Sequence, residues 1–281
     1  MFKEDSRTVS PGRSVRMTIS KCLRTISEKA RTYLLLIALY NPGVHLGSAL
    51  SVIEILTALY GSGRVSFLKG DIDRNWLILS KGHAVHAVYA IAAAMGYLSW
   101  SELRNSGTIG SPLQNHPELG TPGVDVAAGS LGQGVSMSVG IALGLRMRGL
   151  RNRRVYVIIG DGELDEGQTW EAFTTAAHYG LTNWIPIIDY NKIQLDGKID
   201  DVKRKGDLRK RFEALGYQVV EVDGHDIDSI LAVLEDVESS DKMSVIIAHT
   251  VRGKGVPVLE NTNRQRMLRE EILQVLKERM L

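Results

Sequence analysis

Two stretches of the chain place oxygen-bearing side chains directly after apolar runs. Val155–Ile159 leads into Gly160-Asp161-Gly162, and Trp184–Asp189 leads into Tyr190-Asn191-Lys192-Ile193. A carboxylate at Asp161 and an amide oxygen at Asn191 are hard donors suited to magnesium. That ion takes few protein ligands and completes its shell with water and substrate phosphates. The glycines flanking Asp161 let the backbone approach a bulky anion and leave N–H groups free at the start of the following helix. Gly160-Asp161-Gly162 alone reads equally well as a tight turn. Asn191, after a second apolar run and separated from Gly162 by 28 residues, moves the reading toward a magnesium-bridged diphosphate.

Three histidines follow turns rich in glycine or proline: His45 in PGVHLGSALS, His83 in Gly82-His83-Ala84, and His116 in NHPELGTPGVDVAAGSLGQG. An imidazole donates and accepts protons at neutral pH, which suits contact with hydroxyls and carbonyls. His86, one helical turn past His83, and His178 read as structural. His225, in Val222-Asp223-Gly224-His225-Asp226, reads as a turn stabiliser. The basic run Lys203–Arg211 reads as a solvated helix face, because no aromatic residue is interleaved with it.

The elements that must carry these residues alternate. Ser14–Tyr40 and Leu46–Tyr60 have helical apolar spacing, the first stopped by Asn41-Pro42-Gly43. Trp76–Leu79, Val155–Ile159, Trp184–Asp189, Tyr217–Val222 and Ser244–His249 read as strands. Helical stretches are expected over Ala84–Tyr97, before Tyr179, and over Ile227–Val237. A charged helix is expected over Arg264–Leu281, with Leu268, Ile272 and Leu276 on one face. Ser106–Thr121 reads as a long irregular loop, a length that usually signals function or disorder. The pattern predicts an α/β fold, a doubly wound and mostly parallel sheet with helices on both faces. Ligands of such sheets bind beyond the carboxyl ends of the strands. Residues 1–13 read as a loose arm and 14–281 as one domain.

Composition narrows the class. The 281 residues carry 34 basic and 32 acidic side chains, a net charge of +2, with 44% hydrophobic residues. That is ordinary for a folded chain and gives no electrostatic reason to expect nucleic acid or a membrane surface. No run approaches the roughly 20 apolar residues that cross a bilayer, and the first residues lack the apolar core of a secretory signal. Cys22 is the one cysteine, which excludes an internal disulfide framework or a multi-cysteine zinc site. The sequence predicts a soluble, cytoplasmic chain.

Taken together, the GDG-x28-N arrangement, the three histidine segments and the VDGHD motif, all in the family's order, resemble the transketolase-like enzymes. The resemblance runs from about Arg31 to Asn261. It implies the thiamine diphosphate-binding half of a transketolase, encoded as a separate subunit, with a role in the pentose phosphate pathway. It further implies that Asp161, the Asn191 side chain and the main-chain oxygen of Ile193 hold a divalent cation, magnesium or alternatively calcium or manganese. Gly162 would meet the diphosphate through its N–H, and His83 a phosphate oxygen. Asn191 would thus serve cofactor and metal together. Gly129 and Leu131, in GSLGQG, would line the cofactor's centre, and His45 and His116 would reach the sugar. Glu166 and Glu171 match family acids near the subunit contact.

The family places the glutamate that meets the pyrimidine ring, and the arginines that grip the sugar phosphate, in a second domain. The partner that the resemblance implies is therefore a C-terminal transketolase subunit, in a dimer of heterodimers that acts on sugar phosphates. One departure is local. After Gly253-Lys254-Gly255-Val256-Pro257 and Glu260-Asn261 the family continues to a Trp-His pair, whereas Thr262-Asn263-Arg264-Gln265-Arg266 follows here, with no histidine after His249. Either an arginine takes over the charge or the pocket is altered. Competing readings are an enzyme of the deoxyxylulose-phosphate synthase type, the E1 component of a 2-oxo acid dehydrogenase, or a non-catalytic cofactor-binding chain that serves assembly. The His45, His116 and GSLGQG set favours transketolase.

Overall fold

The computed structural model describes residues 11–68, 70 and 72–280. Five strands form one sheet in the order β1-β2-β3-β7-β6, with every neighbouring pair parallel. They are β1 (Trp76–Leu79), β2 (Val155–Gly160), β3 (Trp184–Tyr190), β6 (Gln218–Asp223) and β7 (Ser244–His249). A small antiparallel ladder of β4 (Ile193–Gln194) and β5 (Gly197–Lys198) lies just beyond β3.

Strands of a parallel sheet are covered on both sides and so read as continuous apolar runs. The alternation survives in which side each residue faces. Tyr156, Ile158, Ile185, Ile187, Ile246 and Ala248 join one buried cluster. Val155, Val157, Ile159, Trp184, Ile188, Val245 and Ile247 join the other. The first face is covered by α1 (Pro11–Ala38), α2 (Leu46–Ser51), α3 (Ile53–Gly61), α4 (Val85–Ala94), α10 (Ile227–Ser239) and α11 (Arg269–Met280). The second is covered by α6 (Gln133–Met147), α7 (Gly167–Tyr179) and α9 (Leu208–Ala214). The remaining helices, α5 (Trp100–Arg104) and α8 (Ile199–Val202), are short. No helix among the described residues is long and apolar enough to cross a membrane.

The expected strands are all present, within a residue at each end. The helices differ more. Residues 1–10 of the expected arm lie outside the described residues, and Pro11–Arg13 are helical instead. The expected helix over Leu46–Tyr60 is two, broken at Val52 (φ −107°, ψ 5°). There the Ser51 hydroxyl donates to Ser48 O and to Asp189 Oδ2, drawing the chain end toward the sheet. The last helix starts only at Arg269, because Glu271 accepts from the Leu268 N–H and pairs with Arg264. Leu268 is therefore exposed, and the buried face is Ile272, Val275 and Leu276. The basic run is not one solvated face either. Lys205 is buried against Asp165, and the Arg211 guanidinium lies 3.8 Å over the Trp170 ring. Sequence spacing missed α6, whose three internal glycines hide a helix.

Candidate active site

The carboxyl ends of β1, β2 and β3 lie side by side, with Leu79 opposite Ile158 and Gly160 opposite Asp189. The loops that leave them bound a cleft of about 250 Å³. His45, His83, His116, Leu131, Asp161, Gly162, Asn191 and Ile193 all line it. Of the expected site residues only Gly129 stands back from the wall, and a Cβ there would lie 3.9 Å from His116 Cδ2.

Asp161 is the first residue after β2. Its Oδ1 accepts from the Gly162 N–H at 2.8 Å, and its Oδ2 from the Lys192 N–H. Lys192 has a left-handed φ of +65°, a conformation rare outside glycine, which folds the chain so that Asn191 and Ile193 flank Asp161. Asn191 Oδ1 accepts from the Ile193 N–H at 3.0 Å, and Asn191 Nδ2 donates to Asp189 Oδ2 at 3.0 Å. A Cβ at Gly162 would meet Gln194 Oε1 at 3.0 Å and Gln194 Cβ at 3.2 Å, so a larger residue there would require Gln194 to shift.

Charge in the cleft is unevenly matched. Lys81 is buried and pairs with Asp189. Burial alone would raise the Asp189 pKa, but the Lys81 charge and hydrogen bonds from Lys81, Thr250 and Ser51 together hold it below the usual value. Asp161 has no such cation. Burial, and then the Asp189 charge, push its pKa up to about 7. Among the described residues no three His, Cys, Asp or Glu side chains cluster to hold a metal by themselves. A carboxylate, an amide oxygen and a main-chain oxygen instead suit a cation that brings other oxygens with it. The residues present thus fit a divalent cation bound together with a diphosphate.

The histidines differ in setting. His83 Nε2 lies 3.0 Å from Ser48 Oγ, and burial, then the Lys81 charge, hold its pKa well below 6.5, so it is neutral. His45 is half-buried, its ring 5.4 Å from that of His83 and its Nδ1 3.3 Å from Gln265 Oε1. His116 is exposed at the rim. The remaining histidines lie elsewhere. His225 accepts from the Val251 N–H at 2.8 Å through Nε2 and meets Glu54 Oε2 at 2.9 Å through Nδ1, which pins the turn after β6 to α3. His86 is buried beside Asn41 and His178 is exposed near the end of α7. Glu166 and Glu171 are exposed and do not line the cleft.

Sequence reading missed Ser48, Lys81, Glu163, Arg252 and Gln265, all in the cleft wall. Glu163 accepts from Ser80 Oγ, from the Gly132 N–H at 2.7 Å and from the Gly160 N–H at 3.2 Å, tying the GSLGQG loop to β2. Arg252 donates to Ser48 Oγ at 2.8 Å and to Thr262 O at 3.0 Å. Lys81 precedes Gly82-His83 and Arg252 precedes Gly253-Lys254-Gly255, so adjacency to a glycine motif was the available signal. Arg264, a candidate to replace the late histidine, is instead held by Glu271.

Comparison with known proteins identifies the family and the fold. Residues 34–279 match the family model described as transketolase, thiamine diphosphate binding domain. The chain is 40% identical over 221 residues to an apulose-4-phosphate transketolase subunit of Actinobacillus succinogenes, covering 78% of this chain and 80% of that one. It is 39% identical over 224 residues to a 6-deoxy-6-sulfo-D-fructose transketolase subunit of a Clostridium species, covering 77% and 80%. The crystal structure of transketolase from Campylobacter jejuni superposes with a TM-score of 0.79 at 30% identity, covering 94% of this chain and 42% of that longer one. The chain belongs to the transketolase family, as its thiamine diphosphate-binding domain.

Proposed function

We propose that this chain binds thiamine diphosphate with a divalent cation. Joined to a second, pyrimidine-binding chain in the cytoplasm, it transfers a two-carbon ketol unit between sugar phosphates. The observation that carries the reading is the single cleft in which Asp161, Gly162, Asn191 and three histidines converge from separate loops. When bound, the cofactor supplies the stabilised carbanion chemistry, and the protein supplies placement and proton handling.

Asp161, Asn191 Oδ1 and the Ile193 carbonyl would hold the cation, magnesium in the first place and calcium or manganese as substitutes. The Gly162 N–H and His83 would take the diphosphate, and Gly129 and Leu131 the cofactor's centre. A neutral His83, hydrogen-bonded to Ser48, can donate to a phosphate oxygen without adding charge. His45 and His116 line the same cleft, His116 at its exposed rim, and would meet a sugar's hydroxyls and carbonyl. The relatives' names carry apulose 4-phosphate and 6-deoxy-6-sulfofructose, which widens the donor class beyond pentose phosphates to sugars with a terminal anion.

Both relatives are named as transketolase subunits, which supports a separate partner here. The loop that carries His116 also leaves Ile109 and Leu119 exposed, at 106% and 73%. Closed symmetry then favours a dimer of heterodimers. The test is reconstitution with the partner and an assay of ketol transfer across a panel of ketose phosphates. Saturable magnesium-dependent cofactor binding and turnover are expected. A complex that assembles yet binds no thiamine diphosphate overturns the reading.

A further inference from the structure

His45 is gripped from the segment in which the family resemblance expects a Trp-His pair. Its Nδ1 lies 3.3 Å from Gln265 Oε1. The polarity of that contact is decided by its neighbours. Arg252 Nη2 lies 3.3 Å from the same oxygen, and a guanidinium can only donate. On the other side, Gln265 Nε2 donates to the Asn263 carbonyl oxygen at 2.7 Å, a group that can only accept. The two neighbours together fix which end of the amide faces His45, and it is the oxygen. A ring nitrogen facing that oxygen must bring the proton. In a neutral imidazole the other nitrogen is then the one with the lone pair. Burial, the largest influence on this ring, keeps His45 below the usual 6.5, so the neutral form is the relevant one at pH 7.

We propose that Gln265 is a positioning residue: it locks His45 in the Nδ1–H tautomer, so that Nε2 presents a lone pair to a hydroxyl of the sugar substrate. A free histidine side chain favours the opposite, Nε2–H form, which would offer that hydroxyl a donor instead of a base. The lock also resists rotation of the ring, because Gln265 is itself held by Arg252, and Arg252 by Ser48 Oγ and Thr262 O. Gln265 thus connects the chain's late segment to the same cleft wall as His83, whose Nε2 shares Ser48 Oγ with Arg252. The inference rests on the ketol-transfer reading for its substrate but not for its tautomer.

The test therefore has two arms. In the first, the full ¹⁵N-labelled chain is examined by long-range ¹H–¹⁵N correlation, with His45→Gln used to assign the ring. Wild type should show a protonated Nδ1 and an unprotonated Nε2. Gln265→Ala should shift the population to Nε2–H, and Gln265→Glu, which keeps an acceptor in place, should retain Nδ1–H. In the second arm the reconstituted pair is assayed. Gln265→Ala should lower kcat/KM for the ketose donor by about tenfold to a hundredfold, the scale of a misplaced reacting group, with thiamine diphosphate affinity unchanged and most of the loss recovered in Gln265→Glu. Retention of Nδ1–H in Gln265→Ala overturns the lock, and an undiminished kcat/KM overturns its role. A wild-type pair that transfers no ketol unit would reject the reading of function while leaving the tautomer measurement to stand or fall alone.

Discussion

The Asp161 carboxylate is 2% exposed, and its hydrogen-bond partners are the backbone N–H groups of Gly162 and Lys192. Its pKa in the folded chain, about 7, lies well above the 3.8 of an ordinary aspartate, through burial first and the Asp189 charge second. An acid that binds its proton more tightly when folded contributes stability that is complete below pH 3.8 and is lost as pH rises through 7. At 1.36 kcal/mol per unit, that shift amounts to about 4 kcal/mol. Asp161→Asn removes the charge but turns an NH2 group toward one backbone N–H, a mismatch that costs about 1–3 kcal/mol. With divalent cations chelated, the variant should therefore exceed the parent by roughly 1–3 kcal/mol at pH 8 and fall to or below it at pH 5. Urea unfolding of the full chain at both pH values measures this. Adding magnesium and thiamine diphosphate should reverse the order at pH 8, because only the parent gains the free energy of binding. A variant destabilised equally at pH 5 and pH 8, or one still stabilised by the cofactor and metal, would refute the reasoning.

His116→Ala should leave cofactor affinity near wild type while kcat/KM falls by about 10²–10⁴, the range for a positioned acid–base group; titration calorimetry and steady-state kinetics on the reconstituted pair separate the two. The isolated chain should show no ketol transfer. Adding the partner should restore it in a species whose mass, by light scattering, is near twice the summed pair, and full turnover by the chain alone would contradict the shared site. Gly134→Ala would bring a Cβ within 2.6 Å of Ser80 Oγ and 2.8 Å of Ser80 Cα. Overpacking of that kind costs about 1–3 kcal/mol, and an unchanged Tm by calorimetry would show that α6 is free to move away from β1.

Strands were legible because burial on both faces demands uninterrupted apolar runs, and VYVII or SVIIAH allows little else. The positions of Asp161 and Asn191 at the cleft were legible for a related reason: they sit where two such runs stop. Helices were less so. In α6 the glycines at 134, 140 and 144 lower the helical signal, yet Gly134 is required by the approach of Ser80 and could not have been a better helix former. The break at Val52 depends on Ser51 bonding to Asp189, a residue 138 positions away, so no local window contains its cause. The same holds for the cleft residues that sequence reading passed over. Lys81, Glu163 and Gln265 are ordinary residue types whose meaning comes from partners distant in sequence: Asp189, Gly132 and His45.

That dependence on distant partners also explains why cation and diphosphate should enter together. Lys81 is committed to Asp189, and Arg252 is divided among Ser48, Thr262 and Gln265. Asp161 is left without a cation of its own, directly beside the Gly162 N–H. A diphosphate arriving alone at Gly162 would face that carboxylate at close range and in a poorly solvated place, where repulsion is strong. A magnesium ion arriving alone would find one carboxylate and two neutral oxygens, too few ligands to replace the water it must lose. Each ligand supplies what the other lacks. The sheet makes this possible by holding the ends of β2 and β3 in register, Gly160 beside Asp189, so that loops separated by 28 residues in sequence meet at the spacing of adjacent strands, about 4.8 Å. The rigid element fixes the distance and the loops carry the chemistry. His116 is left exposed at the rim of that cleft, where the second chain proposed above would shelter it.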